Sequence, residues 1–233
     1  MKTLLNNEFA PLTFSWGFLE APLDSILPMF VDWRRSHSRG VKVMEVSGSL
    51  TDALCQLQPL LGPPTRELLF STRSKWVAYF DNGASGGDPF PPISYLSEHI
   101  ECRGVTVTCI PNHTESNELR VFGAILFSLF APKPTQFLNV VRSVGVANDG
   151  GRWRFVSQGD VQAFERPEAY LAKKVQDRFT SELLEEYCQA VGIDPFKPDY
   201  YGPAGNVLAI APPAETTSDK FFTLKEAQQR LGL

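Results

Sequence analysis

Histidine is scarce in this 233-residue chain, with three residues, and cysteine occurs only four times. The commonest general base of nucleophilic catalysis is therefore confined to His37, His99 and His113. His37 lies in Arg34-Arg35-Ser36-His37-Ser38-Arg39, where three arginines oppose its protonation and a solvated helix end is expected. His99 follows Tyr95 by one helical turn and is expected half-buried, and His113 sits in a polar loop. Ser85 alone stands in G-x-S-x-G spacing, as Gly83-Ala84-Ser85-Gly86-Gly87 within a Gly-rich run, while no H-E-x-x-H or H-x-H occurs, so the zinc-enzyme templates lack their parts. Cys55, Cys102, Cys109 and Cys188 form no C-x-x-C, and a chain of this size needs no disulfide, so free buried thiols are expected. No metal site and no cofactor is implied.

Long apolar runs are also missing. The most apolar stretch, 121–131, falls far short of the ~20 residues a helix needs to cross a bilayer and reads as buried strand. The opening Met1-Lys2-Thr3-Leu4-Leu5-Asn6-Asn7 turns polar before a signal peptide's apolar stretch can form. Neither half of the chain is basic, and the net charge is −4. Duplex binding draws most of its affinity from cations on phosphates, which argues against a nucleic-acid partner. A cytoplasmic, non-membrane protein is the expectation. No repeat period of a solenoid or propeller is present.

What the chain does have is core material. Hydrophobic residues make up 43% and Phe alone supplies 17 positions, and at 25.9 kDa roughly 70% of the extended-chain surface leaves water on folding. Strands are expected at 12–19, 41–46, 67–71, 75–80, 105–110, 120–130, 137–147 and 152–157. Helices are expected from about Asp24 to Arg35 with Pro28 near the first turn, after Ser49 with Asp52 completing a capping box, and from Pro92 with Gly104 as its stop. A longer helix is expected from Pro167 towards Val191, burying Leu171, Val175 and Phe179. Asn148-Asp149-Gly150-Gly151 supplies the positive-φ residues of a tight hairpin turn, with Val146 opposite Trp153 and Val144 opposite Phe155. This order has too many adjacent strands for a doubly wound sheet and too many helices for a sandwich. It predicts an α+β fold: a mixed, mainly antiparallel sheet of about six to eight strands with helices on one or both faces. Residues 1–192 read as a single domain, and 193–233 as a proline-rich arm, ending in a short helix, packed on the domain or on a partner.

That last helix, Thr223-Leu224-Lys225-Glu226-Ala227-Gln228-Gln229-Arg230-Leu231-Gly232, opens on a Thr223/Glu226 capping box and resembles the first helix of MerR-type winged-helix DNA-binding domains. The resemblance spans only about ten residues, and no recognition helix to read a major groove follows, so a bare terminal helix is expected.

Three constellations could carry chemistry. The Gly-rich loop Asp81-Asn82-Gly83-Ala84-Ser85-Gly86-Gly87-Asp88 lies between a strand and a helix, where backbone N–H groups can face an anion and where Asp81, Asn82 and Asp88 offer oxygens to a ligand. Strand parity puts Arg142 on the apolar face of Val144 and Val146, so it must find a carboxylate, with Glu165 the nearby choice. Arg152 and Arg154 share the outer face beside Gly145 and Ala147 as a shallow cationic platform. The remaining class is interaction surface: four tryptophans, Phe196, Tyr200, Tyr201 and the proline-rich arm supply rigid aromatic area. Since no catalytic set is present, the expected function is non-enzymatic protein binding, in the manner of an inhibitor or immunity-type partner. The alternative is a small-molecule or anion-binding enzyme using the 81–88 loop with Arg142 or Glu165.

Overall fold

In a computed structural model, residues 1–38, 40–113, 120–211 and 221–233 are described. Arg39, most of the polar loop after Ile110 and the prolines at 212 and 213 lie outside the described residues. Nine strands form one antiparallel sheet: β1 (Ser15–Leu19), β2 (Val41–Ser47), β3 (Arg66–Thr72), β4 (Val77–Asp81), β5 (Gly104–Ile110), β6 (Ala124–Phe130), β7 (Val140–Asn148), β8 (Trp153–Gly159) and β9 (Tyr201–Ile210). Their order across the sheet is β2-β9-β3-β4-β1-β5-β6-β7-β8. The helices are α1 (Leu23–His37), α2 (Leu50–Cys55), α3 (Phe90–His99), α4 (Ser181–Ala190) and α5 (Leu224–Leu231).

The expected α+β class holds, with more strands than the six to eight read from the pattern. The additional strand comes from the arm, which does more than lie over the domain: β9 threads between β2 and β3, pairing Met44 with Val207 and Leu68 with Val207. Its Gly202-Pro203-Ala204-Gly205 opening hides the alternation by which a strand is read, so its place is set by long-range pairing.

Both sheet faces are covered, and alternation along each strand sorts the core into two. Trp16, Phe18, Leu68, Phe70, Phe80, Val107, Phe127, Val144 and Val207 pack on one face against α2, α4 and the aromatic segment around Phe196 and Tyr201. Leu19, Leu69, Val77, Tyr79, Phe130 and Leu208 pack on the other against α1 and α3. Helix α3 comes close because β1 and β5 present glycines beneath it. A Cβ on Gly17 would lie 2.4 Å from Ile93 Cγ1, and one on Gly104 would lie 2.6 Å from Ile93 Cγ2. Gly104 thus begins β5 and makes room for α3; the helix itself stops earlier, before Ile100 and a positive-φ Glu101.

Local signals are realised where side chain and backbone meet within a few residues. Ser49 caps α2 and Thr223 caps α5, each in a complete capping box. The β7–β8 hairpin forms with Gly150 at φ +95°, but Asn148 faces Trp153 and Val146 faces Phe155. The register is two residues from the expected one because Gly150-Gly151, instead of Asp149-Gly150, occupy the turn. A shift of two keeps every side chain on its expected face.

Other expectations fail. The helix expected from Pro167 is two short 3-10 turns, Pro167–Leu171 and Val175–Arg178, before Thr180 caps α4. Tyr170 turns to donate to Glu165, and Arg178 Nε donates to the Ala172 carbonyl at 2.9 Å. These side-chain bonds hold the irregular path, and Leu171 is left 83% exposed. Pro28 is the sixth residue of α1, beyond its first turn. Cys102, Cys109 and Cys188 are buried free thiols, whereas Cys55 is free and exposed. His99 is exposed, its ring stacked on Tyr95 at 3.8 Å between centroids. Among the described residues no helix is long and apolar enough to cross a membrane.

Candidate functional site

The loop after β4 brings backbone N–H groups to an anion, and the anion is the chain's own. Asp81 is 3% exposed; its Oδ1 accepts from Gly83 N at 2.9 Å and its Oδ2 from Asp88 N at 3.0 Å. The glycine at 87 is required by this closure, since a Cβ there would lie 2.9 Å from Asp81 Oδ2. Burial pushes the Asp81 carboxyl up to about 6 against the pull of those two N–H bonds, with the Glu67 charge adding to the rise. Asn82 is fully buried and structural: its Oδ1 accepts from Thr65 N and Arg66 N, and its Nδ2 donates to the Pro59 carbonyl at 2.7 Å. Asp88 is exposed at the helix entry, where Oδ1 accepts from Phe90 N.

Beside Asp81 on the α1-covered face lies a cluster that the sequence did not reveal. Glu67, 3% exposed, faces Asp81 across the β3–β4 ladder. Arg34 of α1 binds the Glu67 carboxylate with Nε at 2.7 Å and with Nη2, and Tyr79 donates to Glu67 Oε1 at 2.7 Å. The Arg34 guanidinium also lies 4.0 Å from the Trp33 ring centroid. Burial opposes its charge, but the Glu67 bonds outweigh burial and raise its pKa. Burial drives the Tyr79 phenol far up. Glu67 shares strand parity with Leu69, a signal for a buried carboxylate in want of a partner. The partner lies 33 positions away on a helix end that reads as solvated.

On the opposite face Arg142 meets Glu165. Nε donates to Oε1 and Nη2 to Oε2, both at 2.8 Å, and the two side chains are 1% and 0% exposed. Nη1 turns to Ser157 Oγ at 3.0 Å and the Gly159 carbonyl at 2.9 Å. Glu165 also accepts from Tyr170 at 2.6 Å and from Gln162 N at 2.8 Å. Burial raises the Glu165 pKa, but its bonds to Arg142, Tyr170 and Gln162 prevail and the net direction is down. Arg154 pairs with Asp149 across the hairpin, while the Arg152 side chain makes no hydrogen bond or ion pair with a described residue.

These groups do not converge. Asp81 and Glu67 lie on one sheet face, Arg142 and Glu165 on the other. Surface hollows of about 440, 600, 500 and 320 Å³ are lined by none of Asp81, Asp88, Arg142 or Glu165. Among the described residues, no three His, Cys, Asp or Glu side chains lie close enough together to hold a metal ion.

A different feature, unforeseen from the pattern, stands out at the β6–β7 connection. Phe137 and Leu138 are 52% and 54% exposed, and Leu138 holds φ +50°. Asn139 is fully buried beneath them: Oδ1 accepts from Ser94 Oγ at 2.7 Å, and Nδ2 donates to Ser97 Oγ at 2.8 Å and to the Ser94 and Ala131 carbonyls. Thr135 closes the loop, its N donating to the Leu138 carbonyl at 2.7 Å and its Oγ1 to the Val140 carbonyl at 2.8 Å. Two adjacent apolar side chains are thereby presented to water on a backbone anchored to α3.

Comparison of the chain with protein-family models, with curated proteins and with solved structures finds no match in any of the three.

Proposed function

We propose that this chain is a non-enzymatic protein-binding protein of the cytoplasm, an inhibitor or immunity-type partner that docks through the Phe137–Leu138 loop. The observation that carries this reading is the contrast between that loop and the polar clusters. The polar clusters spend their donors and acceptors on one another, whereas the loop spends buried hydrogen bonds on holding two apolar side chains in water. Scattered exposed apolar residues are ordinary. An adjacent pair fixed by a buried asparagine and a left-handed leucine has its ordering cost met before any partner arrives, which favours binding. The net charge of −4 suits a partner of opposite sign, and four free thiols suit a reducing compartment.

The test is retention of a partner from native-cell extract on the immobilised chain, run beside a Phe137→Ser/Leu138→Ser variant. One protein should be held by the parent chain and lost from the variant, with equal melting temperatures for the two. Equal retention by both, or a metabolite-induced rise in melting temperature with no protein recovered, overturns the reading.

A further inference from the structure

The hollow of about 320 Å³ beside the Phe137–Leu138 loop is lined from two separate parts of the chain. Thr135, Gln136 and Phe137 form one side, Gln158, Gly159 and Asp160 form the other, and Val140 and Val141 complete it. Each side is fixed by a buried polar network. Asn139, bonded to Ser94, Ser97 and Ala131, holds the first. The second begins at Gly159, which leaves the line of β8 at φ +80° and could carry no side chain, since a Cβ there would lie 2.0 Å from the Val141 carbonyl oxygen. Its own carbonyl accepts from Arg142 Nη1 at 2.9 Å. The Asp160 carbonyl accepts from Gln162 Nε2 at 2.8 Å, and Gln162 N donates to Glu165 Oε1 at 2.8 Å. Asn139 and the Arg142–Glu165 pair thus set the two sides of one opening.

That opening has a definite chemistry. Phe137 shows 52% of its surface to water. Asp160 is the one charged residue among the described residues that line the hollow; it is exposed, and its carboxylate makes no hydrogen bond or ion pair with a described residue. The side-chain amides of Gln136 and Gln158 are equally unbonded among the described residues. A partner surface that covers Phe137 here also takes Asp160 out of water. An apolar side chain in the hollow would strand the carboxylate, and an acidic one would repel it. A cation meets both demands. Guanidinium meets them better than ammonium, because it is flat and weakly hydrated, stacks on ring faces and gives a carboxylate two parallel bonds.

We propose that this hollow receives an arginine side chain of the protein partner, with its guanidinium over Phe137 and its N–H groups on Asp160. The amide oxygens of Gln136 and Gln158 take the remaining donors. The inference rests on docking through the Phe137–Leu138 loop and narrows the partner to a surface that carries an arginine beside apolar residues.

Titration of the chain with the peptide acetyl-Ala-Leu-Arg-Leu-Ala-amide, followed by NMR of the Phe137 ring and the Asp160 carboxyl carbon, tests it. Both signals should move together and saturate. The same peptide with lysine at its centre should bind more weakly, and those with norleucine or glutamate more weakly still. Asp160→Asn should weaken the arginine peptide about fivefold. Asp160→Lys should turn the preference towards the glutamate peptide, and circular dichroism melts establish that both variants are folded. No saturable movement at Phe137 and Asp160 overturns the proposal. So does equal binding of the arginine and norleucine peptides, or an Asp160→Asn variant that binds like the parent. A native partner lost from Phe137→Ser/Leu138→Ser but held undiminished by Asp160→Asn also removes the arginine site, and it leaves the docking loop standing.

Discussion

Two forked arginine–glutamate pairs lie on opposite faces of one sheet, and they are not equivalent. Arg142–Glu165 is closed: one positive group, one negative group, both out of water, with Nη1 directed to Ser157 and to strand carbonyls. Arg34–Glu67 is open in charge. Arg34 retains 23% of its side-chain exposure, and a second buried carboxylate, Asp81, stands directly across the ladder from Glu67. The balanced pair keeps its acid ionised, whereas the spare carboxylate of the other rises to about 6. Burial is the largest cause of the Asp81 rise, with the Glu67 charge adding to it, whereas at Glu165 the bonds to Arg142, Tyr170 and Gln162 outweigh burial.

The largest effect should follow from breaking the balanced pair. Glu165→Gln leaves Arg142 buried without its counter-charge and should lower unfolding free energy by about 3–5 kcal/mol, read from urea denaturation. Replacing both residues by methionine should recover most of that loss, because the desolvation cost disappears along with the attraction. A double variant as unstable as the single one would show that the pair's bonds, and not its charge balance, hold the hairpin.

Asp81 gives the next largest effect, with a defined sign. Its folded pKa stands above its ordinary value of 3.8, so the folded chain binds this proton more tightly than the unfolded chain does. The stability it contributes is therefore fully present below about pH 4 and is lost as pH rises through about 6. Against Asp81→Asn, the parent chain should lose about 2 kcal/mol of relative stability between pH 4 and pH 7. A constant difference over that range would remove the contrast between the two clusters.

The smallest effect is expected at Glu67. Glu67→Gln removes a charge-assisted partner of Arg34 but also the charge that disfavours ionised Asp81, for a net loss of about 1 kcal/mol at neutral pH. It should also move the Asp81 titration midpoint downward, as seen by NMR of the carboxyl carbon. An unmoved midpoint would mean that burial alone sets the Asp81 value.

Much of this was legible along the chain because the causes are local. Ser49 with Asp52 and Thr223 with Glu226 cap their helices within four residues, and Asn148 to Gly151 turn one strand into the next. Two-residue parity then places Arg142 inward, and Glu165, 23 positions on, lies within reach of the same short connection. The 81–88 loop was legible as a turn rich in free N–H groups. That those groups close on Asp81 is a matter of three-dimensional closure, which spacing does not encode.

The amino-acid order by itself determined most of the helices and strands, though neither the two 3-10 turns after Pro167 nor β9, and also which side of each strand turns inward and that an inward arginine must find an acid. Those outcomes rest on capping, turn geometry and periodicity, all acting over a few residues. Only the tertiary structure decided that β9 enters between β2 and β3, that Arg34 reaches Glu67, and that Asp81 is left as the surplus charge. Each of these follows from contacts between residues far apart in the chain, made when burial of both sheet faces selects one packing from several that the local rules allow.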